Sequence, residues 1–229
     1  MKLGVAQVRP FKGDIDKNIT SHKRLIARAV SENADLIVFP ELSLTGYEPG
    51  LCKELAVHPD DNRLDDFQTI SNTGNITLCL GLPTTSNSGI RISIVTFTPK
   101  QPRHTYSKQY LNADELPYFT PGNQQTILTI NHNKIAPAIC YESLLPKHSD
   151  NAFQLGAEIY IASVAKSANG VAKAFMHYPE VARKYSMMVF MSNCTGPCDD
   201  FESIGRSSIW NKSGVLLAQL EETAEGILL

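Results

Sequence analysis

The chain holds a single tryptophan in 229 residues, and only 19% of it is charged. It has no block of basic residues, and its formal net charge is −2. Nucleic-acid binding would require an electrostatic footprint that is missing here. There is no acidic tail of the kind that keeps a segment solvated and disordered. No run approaches the ~18 apolar residues of a membrane span. The first residues, MKLGVAQVRP, lack the long apolar core and small-residue cleavage site of a secretion signal, so a cytoplasmic protein is expected. Cysteine is scarce and odd in number, with Cys52, Cys79, Cys140, Cys194 and Cys198. Without a secretion signal, five cysteines argue against a disulfide framework. Cys194 and Cys198 are four residues apart, a spacing that suits half of a metal site. No second Cys/His pair has zinc-site spacing, and neither metal nor cofactor is expected.

What remains is an ordinary globular composition, 42% hydrophobic, of a length that suits one domain over 1–229. Leu3 to Val8 reads as a buried strand. Apolar residues at Ile19, Leu25, Ile26, Ala29 and Val30 give a helix over Asn18 to Ser31, and Ala34 to Phe39 a second strand. This β-α-β opening implies parallel strands joined by a crossover helix. Further strands are expected at Ile76–Leu82, Arg91–Thr98, Arg103–Ser107, Glu158–Ser163 and Met187–Ser192. Weak helical character falls at 61–73, and a stronger helix at Ala172–Tyr185. Hairpins are expected for Thr126–Ile130 with Lys134–Ile139, and for Ser203–Trp210 with Val215–Leu220. The mixture points to layered α/β, with two sheets between helices.

Three residues stand where apolar runs end. Glu41 follows Leu36-Ile37-Val38-Phe39-Pro40, Lys108 closes Thr105-Tyr106-Ser107, and Cys140 follows Ile135-Ala136-Pro137-Ala138-Ile139. Singly, each has a plain explanation: a loop acid, a solvated lysine, a small apolar filler. Together, at one edge of a roughly parallel sheet, they bring a carboxylate, an ammonium and a thiol into one place. That set suits nucleophilic catalysis, with Glu41 as general base.

These segments also resemble a known family. Phe39-Pro40-Glu41-Leu42-Ser43-Leu44-Thr45-Gly46-Tyr47, Tyr106-Ser107-Lys108-Gln109-Tyr110-Leu111 and Ala138-Ile139-Cys140-Tyr141-Glu142 are similar, in that order, to the glutamate, lysine and cysteine motifs of the nitrilase superfamily, the carbon–nitrogen hydrolases. The likeness runs from Gly4 to about Ala218. It implies a four-layer αββα sandwich, commonly doubled into a homodimer or larger assembly. It also implies a second catalytic glutamate, for which Glu115 has the right position. Two departures stand out: aspartate is common where Glu142 stands, and many members carry a longer C-terminal arm. The implied reaction is cleavage of a small amide through a cysteine thioester. An ω-amide is favoured over N-carbamoyl compounds and nitriles. Tyr47, Tyr118, Tyr141, Glu142 and the segment Ser163-Val164-Ala165-Lys166 are expected to line the pocket. The competing readings are a Cys–His hydrolase using His148 or His177, transfer of the acyl group to an acceptor other than water, and a catalytically silent binding scaffold.

Overall fold

A computed structural model describes residues 1–229. Strand β1 (Leu3–Gln7) leads into helix α1 (Ile15–Ser31), which Asp14 caps by accepting from the Lys17 amide at 3.1 Å. The buried face of α1 repeats through Asn18, His22, Leu25, Ile26 and Ala29, the spacing of a helix with one covered side. Then come β2 (Leu36–Val38), the one-turn helix α2 (Cys52–Leu55), α3 (Asp65–Gly74), and strands β3 (Thr77–Ser86), β4 (Gly89–Phe97) and β5 (His104–Ser107). The second half contains β6 (Leu128–Ile130), β7 (Asn133–Ile139), α4 (Pro146–Gln154), β8 (Ile159–Val164), α5 (Ala168–Tyr185) and β9 (Met188–Asn193). It closes with β10 (Thr195–Cys198), β11 (Phe201–Ile204), β12 (Ser208–Trp210), β13 (Leu216–Gln219) and β14 (Gly226–Leu228).

Two six-stranded sheets result, ordered β14-β1-β2-β3-β4-β5 and β13-β12-β9-β8-β7-β6, with β10 and β11 as a separate ribbon. Alternation along each strand assigns its two faces. Leu3, Val5, Leu36 and Val38 from the first sheet pack against Ile135, Ile139, Ile159 and Ile161 from the second. The opposite faces bury Ile37, Phe39, Leu78 and Leu80 beneath α1 and α3, and Ala136, Ala138, Tyr160 and Ala162 beneath α5. The layers are therefore αββα, as the motifs implied.

Strand direction sets the position of the site. β1, β2 and β3 are parallel, β4 opposes β3, and β5 opposes β4, so β5 runs with β2. β7, β8 and β9 are parallel in the other sheet. Buried hydroxyls tie the two sets of carboxyl ends together. Ser163 Oγ donates to the Phe39 carbonyl at 2.7 Å, and Ser192 Oγ to those of Ala6 at 2.6 Å and Val38 at 3.1 Å.

Four elements differ from the sequence reading. Helix α4 was not expected, because its buried residues include His148 and Ser149 and mask any apolar stripe. β14, too short to register, pairs antiparallel with β1. Ser203–Trp210 is not one strand. Gly205 and Arg206, at φ +60° and +57°, turn the chain, so β11 pairs with β10 and only β12 joins the sheet. Helix α5 begins at Ala168, four residues before the expected start. No helix is long and apolar enough to cross a membrane.

Candidate active site

Glu41 lies in the tight turn that leaves β2. The Phe39 amide bonds the Cys79 carbonyl and the Leu44 amide the Gly81 carbonyl, so the turn rests on β3. Only a glycine permits this contact, since a Cβ at Gly81 would stand 2.2 Å from the Pro40 oxygen. Lys108 is pinned at the end of β5 by its amide to Ile92 and its carbonyl to Gly122. Both side chains are fully buried, and Lys108 Nζ donates to Glu41 Oε1 at 2.7 Å. It also donates to Glu115 Oε1 at 2.6 Å. Tyr47 Oη donates to the same Glu115 oxygen at 3.0 Å, and the Asn112 amide to the other at 2.8 Å.

Cys140 terminates β7 on a sharp elbow. Ile139 is extended, Cys140 is left-handed at φ +44°, and a 3-10 turn over Cys140–Leu144 follows. A non-glycine residue in that region is strained, and strain of this kind collects at functional sites. The sulfur is 3.5 Å from the Ala165 carbonyl and 3.8 Å from Lys166 Nζ. Cys140 opens into a cleft of about 300 Å³, whose walls include Tyr47, Glu115, Tyr141, Ala165 and Lys166.

The electrostatics separate the roles. Burial pushes the Cys140 thiol up to about 12, and Glu41 adds to the rise against the pull of Lys166 and Lys108. The thiol is therefore protonated at rest and needs a base. Burial also raises Glu41, opposed by the Lys108 ammonium and assisted by Glu115. Cys140 is close enough to favour the Glu41 carboxylate, although no bond of ordinary geometry joins them. Glu41 Oε2 is buried without any hydrogen-bond partner. Burial alone would lower Lys108, but Glu41 and Glu115 outweigh it and hold the ammonium charged.

The structure thus brings Glu41, Lys108, Glu115 and Cys140 into one cluster, with Tyr47, Tyr141 and Ala165 at the cleft. It places four other expected lining residues elsewhere, among them Val164, which is buried in the core beneath α5. Glu142 is fully buried; its Oε1 accepts from the Ile139 amide (2.8 Å) and Tyr106 Oη (2.6 Å), its Oε2 from the Gln109 (2.7 Å) and Tyr110 (3.3 Å) amides. It ties the cysteine elbow to the lysine loop. Ser163 is buried, with its hydroxyl spent on Phe39. Tyr118 is 44% exposed and lines no part of the cleft. Neither histidine named as an alternative base lines the cleft that holds Cys140. Burial pushes His148 down to about 4 within a network of Tyr106, Tyr160 and Gln125. Burial and Lys166 likewise lower His177. Cys194 and Cys198 are free and buried, their sulfurs 3.5 Å apart.

Phe201 and Asn112 line the cleft without having been expected. Phe201 arrives on the β11 ribbon and packs edge-on against Tyr47, with ring centroids 5.6 Å apart. Lys166 lay inside the expected segment but without a role. The available signal was its place two residues beyond β8, the same strand-end position that singled out the other three.

A model of the carbon–nitrogen hydrolase family matches residues 2–229. Among individual proteins, the chain is 27% identical to a glutamine-dependent NAD(+) synthetase of Acinetobacter baylyi, over 95% of this chain and 41% of that one. It is 27% identical to an (R)-stereoselective amidase of a Pseudomonas species, over 71% of this chain and 60% of the amidase. The chain thus spans about two fifths of the synthetase it matches. An amidase from Nesterenkonia sp. AN1, solved as a cysteine-to-alanine mutant in complex with butyramide, superposes with a TM-score of 0.90. That match is 21% identical and covers 99% of this chain and 88% of the amidase. At such identity the likeness speaks for the fold alone.

Proposed function

This chain belongs to the carbon–nitrogen hydrolase family, and from that premise we propose that it hydrolyses a small linear carboxamide through a thioester on Cys140. An ω-amide is the favoured substrate. The observation that carries the reading is the unpartnered Glu41 Oε2, buried beside a protonated thiol while Oε1 is held by Lys108.

Glu41 Oε2 takes the Sγ proton as sulfur attacks the amide carbon. The carbonyl oxygen becomes negative. The third N–H of Lys108 and the Tyr141 amide at the start of the 3-10 turn are its donors; one such donor is typically worth ~2.7–4 kcal/mol of barrier. Glu41 returns the proton to the leaving nitrogen, the C–N bond breaks, and a thioester remains. Glu41 then takes a proton from water. Hydroxide adds to the thioester, the acid departs, and the proton returns to sulfur. Glu115 holds Lys108 in place. The reading requires no cofactor. It takes the protein as a cytoplasmic homodimer or larger homo-oligomer.

Nitrilases are among the relatives too, but the two at 27% identity, a glutamine-dependent synthetase and an amidase, favour an amide. The test is ammonia release from glutamine and other ω-amides, simple aliphatic amides, N-carbamoyl amines and nitriles, with Cys140→Ala beside the native protein. Ammonia from one amide class, lost in Cys140→Ala, is expected. Full activity in the variant would refute the nucleophile. Silence across the panel would refute the small-amide reading.

A further inference from the structure

Lys108 is the lysine that the sequence motifs single out, yet its ammonium is already committed. Two of its three N–H groups bond Glu41 and Glu115, at 2.7 and 2.6 Å. One cation between two carboxylates leaves that cluster net negative when both are ionised. A thiolate forming beside it would add another negative charge and be repelled.

A second buried ammonium, outside that cluster, stands beside the sulfur. Lys166 is 4% exposed, and its Nζ is 3.8 Å from Cys140 Sγ. It forms no salt bridge; no carboxylate oxygen lies within 4.0 Å. A buried charge without a counter-ion is costly, and the backbone that carries this one is firmly held. The Lys166 amide donates to Asn193 Oδ1 at 2.9 Å. Its carbonyl accepts from Ser203 Oγ at 3.0 Å and Asn193 Nδ2 at 3.2 Å. Gly170 in the first turn of α5 leaves room for the stem, since a Cβ there would stand 3.1 Å from Lys166 Cβ.

We propose that Lys166 is a further catalytic residue: its ammonium is the counter-charge of the Cys140 thiolate, while Lys108 orders the two carboxylates and serves the substrate oxygen. The inference rests on Cys140 being the nucleophile, as proposed above. The step is a proton transfer from Sγ to Glu41 Oε2. It leaves the electron pair on sulfur, facing Lys166 Nζ, and Lys166 itself gains and loses no proton. Of the two lysines, Lys166 opposes the rise of the Cys140 pKa more strongly than Lys108 does. Glu41, Glu115, Tyr47 and Tyr178, which also act on the sulfur, are acids; Asp114 and Lys173 line the same cleft. His177 faces Lys166, and that charge helps to keep its ring neutral.

The test is alkylation of Cys140 by iodoacetamide between pH 7 and 9, located by mass spectrometry, in the native protein, Lys166→Met, Lys166→Arg and Lys108→Met. In this range the rate follows the thiolate fraction, so a rise of one pH unit in the thiol pKa slows it about tenfold. Lys166→Met is expected to be slower by about tenfold or more, and Lys166→Arg, which keeps a permanent charge, to return to within a few-fold of native. A native rate in folded Lys166→Met overturns the proposal. So does slowing in Lys108→Met alone. Should Lys166→Met fail to fold by circular dichroism, Lys166→Gln carries the same comparison. Alkylation needs no amide substrate, so its failure is separable from failure of the amidase reading, which ammonia release reports.

Discussion

Replacing Glu142 by glutamine separates a buried carboxyl from its charge without changing its shape. Burial pushes Glu142 up to about 7, against the opposing bonds from Tyr106, Ile139 and Gln109. In the unfolded chain the same group has its ordinary value of 4.5. The folded-state value is the higher one. The stability contributed by protonated Glu142 is therefore fully present below 4.5 and is lost as pH rises through about 7. A rise of that size corresponds to about 3 kcal/mol at 1.36 kcal/mol per pH unit. Glutamine has no such titration, but its NH₂ cannot accept. The least costly orientation turns it toward Tyr106 and leaves the Ile139 amide orphaned, at about 1–3 kcal/mol. The native protein should then exceed Glu142→Gln in stability near pH 5. The difference should then move against the native protein by about 2.5 kcal/mol by pH 8. Urea unfolding of both proteins from pH 5 to 8 measures the difference. His22 and His148, pushed down to about 4 by burial, lose stability in the opposite sense as pH falls below 6.5. His22 is remote from the substitution and drops out of the difference; His148, whose Nε2 is 3.7 Å from Glu142 Oε1, stays neutral in the folded protein throughout pH 5 to 8 and so adds no folded-state titration in that window. A difference that stays flat or widens with pH would refute the reasoning, because the four donors would then be holding an anion.

Two further outcomes follow from packing. Gly81→Ala drives a methyl against the Pro40 carbonyl and, at 2.7 Å, the Leu42 amide. It should shift Glu41 and lower kcat/KM in the ammonia assay at least about tenfold, or about 1.4 kcal/mol of barrier; an unchanged kcat/KM would show the turn to be slack. Ser192→Ala strips the Ala6 and Val38 carbonyls of a buried donor and should cost about 1–3 kcal/mol in urea unfolding. A loss within about 0.5 kcal/mol would mean that the two sheets are held without it.

Most of the layer plan was legible, because both faces of β2, β7 and β8 are buried and such strands appear as unbroken apolar runs. Glu41 and Cys140 were visible for the same reason, each being the first polar or reactive group after such a run, whereas Lys108 ends the polar strand His104–Ser107 and was legible from its motif. What escaped the sequence was decided by tertiary contact. The inward face of α4 bears His148, which looks solvent-facing until Tyr106 and Tyr160 supply its partners. β14 is three residues long and is a strand only because β1 offers an edge more than two hundred residues earlier. Glu142 looked like a pocket residue because it adjoins the elbow. A 3-10 turn carries its side chain inward instead, onto amides of the lysine loop. Lys166 gave the same strand-end signal as the others, but lysine after a strand is ordinarily solvated, and only the fold shows it to be buried without an acid.

The left-handed backbone of Cys140 has an evolutionary side. Any L-residue at φ +44° bears a conformational cost that glycine avoids. If Cys140 is the nucleophile proposed above, the backbone preference and the chemistry of this position favour different residues. Selection for folding alone would erode the thiol rather than preserve it.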